Sequence, residues 1–224
     1  MSCSHEYHEY TVRGSETLHV GKILALRLDQ VIMPGGQVAH REVVEHPGSV
    51  VILPLHDDLS VVMIDQYRHA VGRRMRELPA GLLDTPGEDP VATARRELAE
   101  EVGCTARDWS VLVDVVASPG FSDEAVRVFL ARGLVEVDRP AGPEDEEADL
   151  SVVRLSLADA VRQVLAGEIV NASTVAGLLA AQAVSAGAAQ PRPVDAPWPD
   201  RPTRFAGRRG WTMLESARGT KEAR

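Results

Sequence analysis

The chain has 224 residues, with 24 Lys or Arg against 33 Asp or Glu, so its formal net charge at pH 7 is −9. Hydrophobic residues make up 44% and charged residues 25%, which excludes wholesale disorder and is ordinary for a globular protein of one or two domains. The acidic balance argues against broad binding to DNA or to an anionic membrane surface, and no apolar run is long enough to span a membrane.

The N-terminal third of the chain is predicted to consist mostly of strands and turns. Two β-rich stretches, 24–33 and 38–46, flank the turn signal Pro34-Gly35-Gly36 and predict a hairpin. A short apolar run at 49–55 predicts a buried strand, with 59–67 as its partner.

The hydrophobic period then changes from strand to helix. Between Asp89 and Val102 the apolar residues recur at helical spacing, with Pro90 suited to the first turn and Gly103 to the position just past the end. Further strands are predicted at 109–116, 125–137 and 150–155, and further helices at 157–165 and 174–184.

The composition shifts after about Gln190. Five of the chain's 14 prolines lie between 191 and 202, and from residue 200 onward seven Lys or Arg stand against three Asp or Glu. The sequence therefore predicts an N-terminal β-rich region at 1–46, a central domain at 47–190 and a tail at 191–224, extended at first. Two readings of Trp198 and Phe205 stay open: they dock on the core or on a partner subunit, or the end is loosely ordered.

Three carboxylates lie on one face of the predicted helix 89–102, at Glu97, Glu100 and Glu101. Like charges at this spacing cost stability, and a divalent cation offsets the repulsion. Oxygen-only ligands favour hard ions such as Mg²⁺ or Mn²⁺, which suit phosphate chemistry. The alternative is a solvated acidic face balanced by Arg95 and Arg96.

The surrounding residues match a longer pattern. Seven residues separate Glu88 from Arg96, where the run Arg-Glu-Leu-x-Glu-Glu-x-Gly begins and ends at Gly103. This segment resembles the signature of the Nudix hydrolases, and the resemblance implies an α/β fold, the Nudix α/β/α sandwich, preceded by the N-terminal β-rich region. Two departures stand out: six residues rather than five separate Gly81 from Glu88, and Cys104 replaces the last aliphatic residue.

The resemblance extends to the ADP-ribose pyrophosphatase subfamily, actinobacterial type. It is carried by Glu77-Leu-Pro-Ala-Gly81, by Pro119 placed 16 residues after Gly103, and by the segments 118–124, 66–68 and 167–171. It implies hydrolysis of ADP-ribose to AMP and ribose 5-phosphate with Mg²⁺, Mn²⁺ being an alternative. It also implies a homodimer in which the N-terminal region is exchanged between subunits.

The same resemblance suggests the metal site and its supports. Glu97 and Glu101 match the principal ligands, and Ala80 matches a backbone carbonyl ligand. Glu100 is expected either to be an additional ligand or to support the ligands without touching the metal. Arg96 matches the arginine that orients the glutamates.

The remaining roles concern the substrate and the reacting water. In the acidic loop 144–149, Glu147 is expected to be the general base, with Glu146 second. Arg68 is expected to contact the diphosphate and Glu124 the terminal ribose. Arg41 is a weaker candidate for the adenine half, and an ordinary surface arginine is the alternative reading.

Three functional alternatives remain open at this point. The chain hydrolyses ADP-ribose, it hydrolyses another nucleoside diphosphate sugar or a dinucleotide, or it is a sensor that binds ADP-ribose without catalysis. No helix-turn-helix pattern supports a DNA-reading sensor, and neither nucleic acid nor membrane is an expected partner. Two cysteines make no disulfide framework and no secretory signal is visible, so a cytoplasmic location is expected.

Overall fold

The structure is a computed structural model that describes residues 7–85, 87–139 and 149–208. The chain divides into two compact units. Of the described residues, the first unit comprises 7–47, 118–124 and 202–208, and the second comprises those within 48–117 and 125–201.

The first unit contains a three-stranded antiparallel sheet in the order β1-β2-β3. Its strands are β1 (Thr11–Val20), β2 (Ala25–Ile32) and β3 (Val38–Glu45). Strands β2 and β3 confirm the hairpin predicted around Pro34-Gly35-Gly36. Strand β1 was not singled out from the sequence because its residues are almost all exposed, so its sequence carries no alternation of buried and exposed positions.

A buried ion network ties the sheet of this unit together. Arg27 donates to Asp29 Oδ2 at 2.9 Å and to Glu45 Oε1 at 2.8 Å, and Glu45 is fully buried. Arg208, on a short helix at 204–208, donates to the Glu45 carboxylate and to Thr17 Oγ1. The C-terminal segment 204–208 is therefore attached to the strands of its own unit.

The contribution of this network to the free energy of unfolding should decrease at low pH. Burial raises the pKa of both carboxyls, but other effects outweigh it and both pKa values are lowered. For Asp29 these are hydrogen bonds from Ser15 and Arg27 and the charges of Arg27 and Arg204. For Glu45 they are the hydrogen bonds and charges of Arg208 and Arg27. Groups with depressed folded pKa values stabilise the fold above their unfolded values, here about 4 to 4.5, and lose that stabilisation as the pH falls through the folded values. We expect the gap in unfolding free energy between wild type and Glu45→Gln, measured by urea denaturation, to stay level from pH 7 to about pH 5 and to shrink below about pH 4. A gap independent of pH would contradict this.

The second unit is built on two sheets. The first is a four-stranded sheet in the order β7-β4-β9-β8, in which the two inner strands β4 and β9 run parallel. The second is a three-stranded antiparallel sheet in the order β10-β5-β6. The strands are β4 (Ser49–Pro54), β5 (Ser60–Arg68), β6 (Arg73–Glu77), β7 (Ala80–Leu82), β8 (Cys104–Val116), β9 (Ala125–Glu136) and β10 (Ser151–Ser156).

Each helix of the second unit begins at a side-chain cap. Asp89, Ser156 and Asn171 accept a hydrogen bond from a backbone N–H of the first turn, as N-cap residues do. The helices are α1 (Pro90–Glu97), continued by a π turn (Leu98–Val102), α2 (Leu157–Leu165) and α3 (Ala172–Ser185). None of the helices in the described part of the chain is long and apolar enough to cross a membrane.

Strand β4 is buried on both faces and joins the two halves of the core. Val51 and Leu53 point into a cluster shared with β5, α2 and α3, whereas Val50 and Ile52 point into a cluster shared with α1. Helices therefore cover both faces of the four-stranded sheet. This is the expected α/β/α sandwich, and it places α1 directly beside β4 and β7.

The proline-rich segment 191–201 lies along the second unit. Arg192 exchanges two backbone hydrogen bonds of 2.9 Å with Val111, and Trp198 packs against the cluster that contains α1. Of the two open readings, the structure shows Trp198 docked on the core of its own chain, and Phe205 is also buried. Residues 209–224 of the predicted tail lie outside the described residues.

Candidate active site

The helix that carries the three glutamates does not stay α-helical. After Glu97 it widens into the π turn, and it ends at Gly103 with φ 71°, a left-handed conformation that favours glycine. The sequence predicted one α-helix over 89–102, because periodicity does not distinguish a single widened turn from an α-helical one. Widened turns of this kind recur at functional sites.

Two of the predicted metal ligands face the short strand β7. The backbone N–H of Ala80 donates to Glu101 Oε2 at 2.9 Å, and Glu101 is only 8% exposed. At the next residue, Gly81, a Cβ would overlap the side chain of Glu97. The structure therefore brings Ala80, Glu97 and Glu101 together, with glycine required at Gly81 by the close approach of Glu97.

Arg96 joins the carboxylates of this helix. Its Nη1 donates to Glu97 Oε1 at 2.8 Å and to Glu100 Oε2 at 2.9 Å, and its Nη2 lies 3.6 Å from Glu88 Oε2. Burial lowers the pKa of Arg96, but the negative charges of Glu97, Glu100 and Glu88 outweigh it and raise the pKa. Arg96 thus stays charged and contacts the glutamates, and its role in orienting them stays a prediction.

The donor chemistry of this cluster fits a hard divalent cation. Carboxylates and the carbonyl of Ala80 offer oxygen ligands, which Mg²⁺ and Mn²⁺ prefer. Within the described ranges, no group of three or more His, Cys, Asp or Glu is arranged to hold a metal ion, and the Arg96 guanidinium bridges Glu97 and Glu100. The assignment of Ala80, Glu97, Glu100 and Glu101 as ligands therefore stays a proposal.

Arg68, the predicted diphosphate contact, is held by a buried carboxylate. Its Nε and Nη2 donate to Glu77 Oε2 at 3.0 and 2.7 Å. Glu77 also accepts from Gln66 and Asn171. The segments that contain Glu77, Gln66 and Asn171 carry the family resemblance, but no role was predicted for these three residues. The burial of Glu77 at the end of β6 is visible in the structure, and no strand was predicted there from the sequence.

The two other predicted substrate contacts belong to the first unit. The backbone N–H of Glu124 donates to Ser122 Oγ at 3.1 Å, and the neighbouring Asp123 accepts from the backbone N–H of His46 at 2.8 Å. Burial lowers the pKa of His46, although the charges of Glu124 and Asp123 oppose it. Arg41 is exposed and donates to the backbone carbonyl of His40. Glu146 and Glu147, the expected bases, lie outside the described residues.

Cys104, the departure from the signature, behaves as an apolar residue. It is buried in the cluster with Leu98 and Phe129, and burial raises the pKa of its thiol. A thiol held protonated is a poor nucleophile and a poor metal ligand. The replacement of an aliphatic residue by cysteine therefore preserves the packing behind the helix.

Gly81→Ala should damage the site without changing its charge. The new Cβ would overlap Glu97, so either the Glu97 carboxylate or strand β7 must shift. A shift of about 1 Å at a catalytic centre costs about 10²-fold in rate, and we expect at least that loss in metal-dependent turnover. The matched control is Gly120→Ala, where a Cβ meets nothing within 4 Å. Equal activity of the two variants would contradict the close approach.

Comparison with known proteins gives the family of this chain. The NUDIX domain matches residues 33–175. An ADP-ribose pyrophosphatase of Mycobacterium tuberculosis is 57% identical over 202 residues, covering 90% of this chain and 97% of that protein. A methanol dehydrogenase activator of Bacillus methanolicus is 37% identical over 172 residues, covering 75% of this chain and 90% of that protein.

A solved structure supports the fold. The chain of an ADP compounds hydrolase superposes with a TM-score of 0.69 at 24% identity, covering 81% of this chain and 96% of that one. The family match spans strands β4 to β10 and helix α1, which together carry the glutamates, Arg96 and Arg68 described above. The chain belongs to the NUDIX domain family.

Proposed function

We propose that this Nudix hydrolase cleaves the diphosphate of ADP-ribose with water and releases AMP and ribose 5-phosphate. The observation that carries the proposal is the close approach of Glu97 to Gly81 and of Glu101 to Ala80. These contacts bring carboxylate oxygens that can bind a metal ion to the start of the signature loop. The 57% identical relative named ADP-ribose pyrophosphatase supports the choice of substrate.

The residues of the chain divide the work of this reaction. Ala80, Glu97 and Glu101, with Glu100, would hold the divalent cation, and Arg96 would keep their carboxylates oriented. When bound, such a cation neutralises charge on the diphosphate and lowers the pKa of a bound water. The guanidinium of Arg68 offers donors to the phosphate oxygens, as arginine does at phosphate sites.

Proton removal from the attacking water is assigned to the acidic loop. Glu147 is the proposed base and Glu146 the second choice, since a carboxylate can accept this proton. Glu124 would contact the terminal ribose and Arg41 the adenine half. Mg²⁺ is the proposed ion, with Mn²⁺ as its substitute, because both take oxygen ligands.

The test is AMP release from a panel of nucleotides with Mg²⁺ or Mn²⁺. ADP-ribose should be turned over with the highest kcat/KM. Faster hydrolysis of another nucleoside diphosphate sugar or of a dinucleotide would replace the substrate but keep the reaction. Tight binding of ADP-ribose with no hydrolysis of any compound would instead indicate a sensor.

The proposed assembly is a homodimer that exchanges its N-terminal β-rich region. Strand β1 and its surroundings expose apolar side chains, among them Val12, Leu18 and Ile23, and exposed apolar patches mark interaction surfaces. In such a dimer Arg41 could serve the site of the partner subunit. Size-exclusion chromatography with light scattering should give twice the mass of one chain, and a monomer mass would refute the proposal.

A cytoplasmic location, without nucleic acid or membrane partners, is part of the proposed function.

A further inference from the structure

Glu77 is a buried carboxylate to which the proposed reaction assigns no role. Only 1% of its surface is exposed, and it lies at the end of β6 directly before the Leu-Pro-Ala-Gly run. Its Oε2 accepts from Arg68 and from Gln66 Nε2 at 3.1 Å, and its Oε1 accepts from Asn171 Nδ2 at 3.1 Å. Side chains from β5 and from the start of α3 therefore converge on one glutamate.

The two oxygens of Glu77 are held in different ways. Asn171 is fixed in turn because its Oδ1 caps α3 by accepting from the backbone N–H of Thr174 at 3.0 Å. Asn171 thereby fixes Oε1 of Glu77 from the helix, which leaves Oε2 directed at Arg68. The orientation of Arg68 is thus set by a carboxylate that a rigid element holds in place.

Arg68 keeps donors available after this contact. A guanidinium has five N–H donors. Nε and Nη2 use Glu77, and within the described part of the chain Nη1 makes no hydrogen bond. The Arg68 side chain is 43% exposed, whereas that of Glu77 is 2% exposed. One edge of the guanidinium is therefore anchored inside the protein, and the opposite edge can meet an anion.

We propose that Glu77 is the positioning residue for diphosphate recognition by Arg68, with Asn171 fixing Glu77. The inference rests on the proposed function, because Arg68 is there the diphosphate contact. It explains why three separate segments of the sequence, 66–68, 77–81 and 167–171, serve one site. Glu77 itself stays below the surface and touches no substrate.

The test is a double-mutant cycle with Glu77→Gln and Arg68→Ala. The substituted glutamine side chain would keep the shape but offer one carbonyl oxygen to the donors that now share two carboxylate oxygens. Hydrogen bonds to charged groups account for about 10- to 100-fold in affinity, and we expect each single variant to raise KM for ADP-ribose by that factor while kcat changes less. The double variant should match Arg68→Ala alone, since Glu77 has nothing left to position.

Asp65→Asn is the matched control. Asp65 pairs with Arg76 across the same two strands, at 2.8 Å, and successive residues of a strand point to opposite faces. The control should lose an ion pair comparable to that of Glu77 without a change in KM. Melting temperatures of all variants separate loss of fold from loss of binding.

The outcomes separate this inference from the proposed function. Dissociation constants for ADP-ribose in EDTA give the same cycle without catalysis. If losses in the two single variants multiply in the double variant, or if Glu77→Gln leaves KM and this dissociation constant unchanged, the positioning role is refuted. If wild type binds ADP-ribose but does not hydrolyse it, the proposed function fails while the cycle on binding still decides the inference.

Discussion

Glu97→Gln and Glu101→Gln should each lower kcat by about 10³-fold or more, the scale expected when charge stabilisation of several kcal/mol is removed. Both carboxylates lie against residues 80–81, and each substitution removes one negative charge from the proposed cation site. The replacement by glutamine keeps the volume and one acceptor oxygen, so the Ala80 N–H can still be satisfied. The loss should therefore be one of activity and not of folding.

Three measurements make this prediction decisive. Circular dichroism and melting temperature should stay near those of wild type. Glu136→Gln, the same change at an exposed position of β9, should leave kcat unchanged. The concentration of Mg²⁺ needed for half-maximal activity should rise in the two site variants and not in the control. Activity near that of wild type in Glu97→Gln or Glu101→Gln would reject the assignment of the metal site.

Local patterns in the sequence predicted most of the fold that surrounds this site. Alternating and continuous apolar runs identified β2 to β5 and β9, and helical spacing with Pro90 and Gly103 at the ends located α1. These signals work because a strand that buries one face, or a helix that buries one stripe, needs apolar residues at regular spacing along the chain. Strand β1 has no such spacing of apolar residues, because its side chains are exposed on both faces. The π turn covers only five residues, and over that length its hydrogen bonding does not change the spacing of apolar side chains enough to be predicted.

The site divides in the same way. The spacing of Glu88, Arg96, Glu97, Glu100 and Glu101 could be read from the chain because one helix and the turn before it carry all five. The contact of Asn171 with Glu77 joins residues 94 positions apart, and no local period records such a pair. The sequence could therefore predict which residues are chemically competent, but not that Glu77 and Asn171 hold Arg68.

The proline-rich segment offers the clearest case of such a long-range contact, and it leads to the largest expected effect on stability. Arg127 on β9 is 4% exposed and donates to both oxygens of Asp114 at 2.8 and 3.0 Å. It also donates to the backbone carbonyls of Ala196 at 2.8 Å and Pro197 at 2.9 Å, and its guanidinium carbon lies 4.8 Å from the centre of the Trp198 ring. One buried arginine thus holds the segment against the sheet.

Arg127→Met should destabilise the chain by about 3 kcal/mol, because removal of one partner of a buried ion pair leaves two backbone carbonyls without their donor and Asp114 with only the half-exposed Arg192. Arg192 supplies the matched control. It donates to the same Asp114 Oδ2 at 2.8 Å, but 44% of its side chain is exposed, so Arg192→Met should cost less than about 1 kcal/mol. Urea denaturation of the two variants measures both values. If the two variants lose equal stability, burial of Arg127 is not what fixes the proline-rich segment. If only Arg127→Met unfolds at a lower urea concentration than wild type, that segment is an integral part of the unit that carries Glu97 and Glu101.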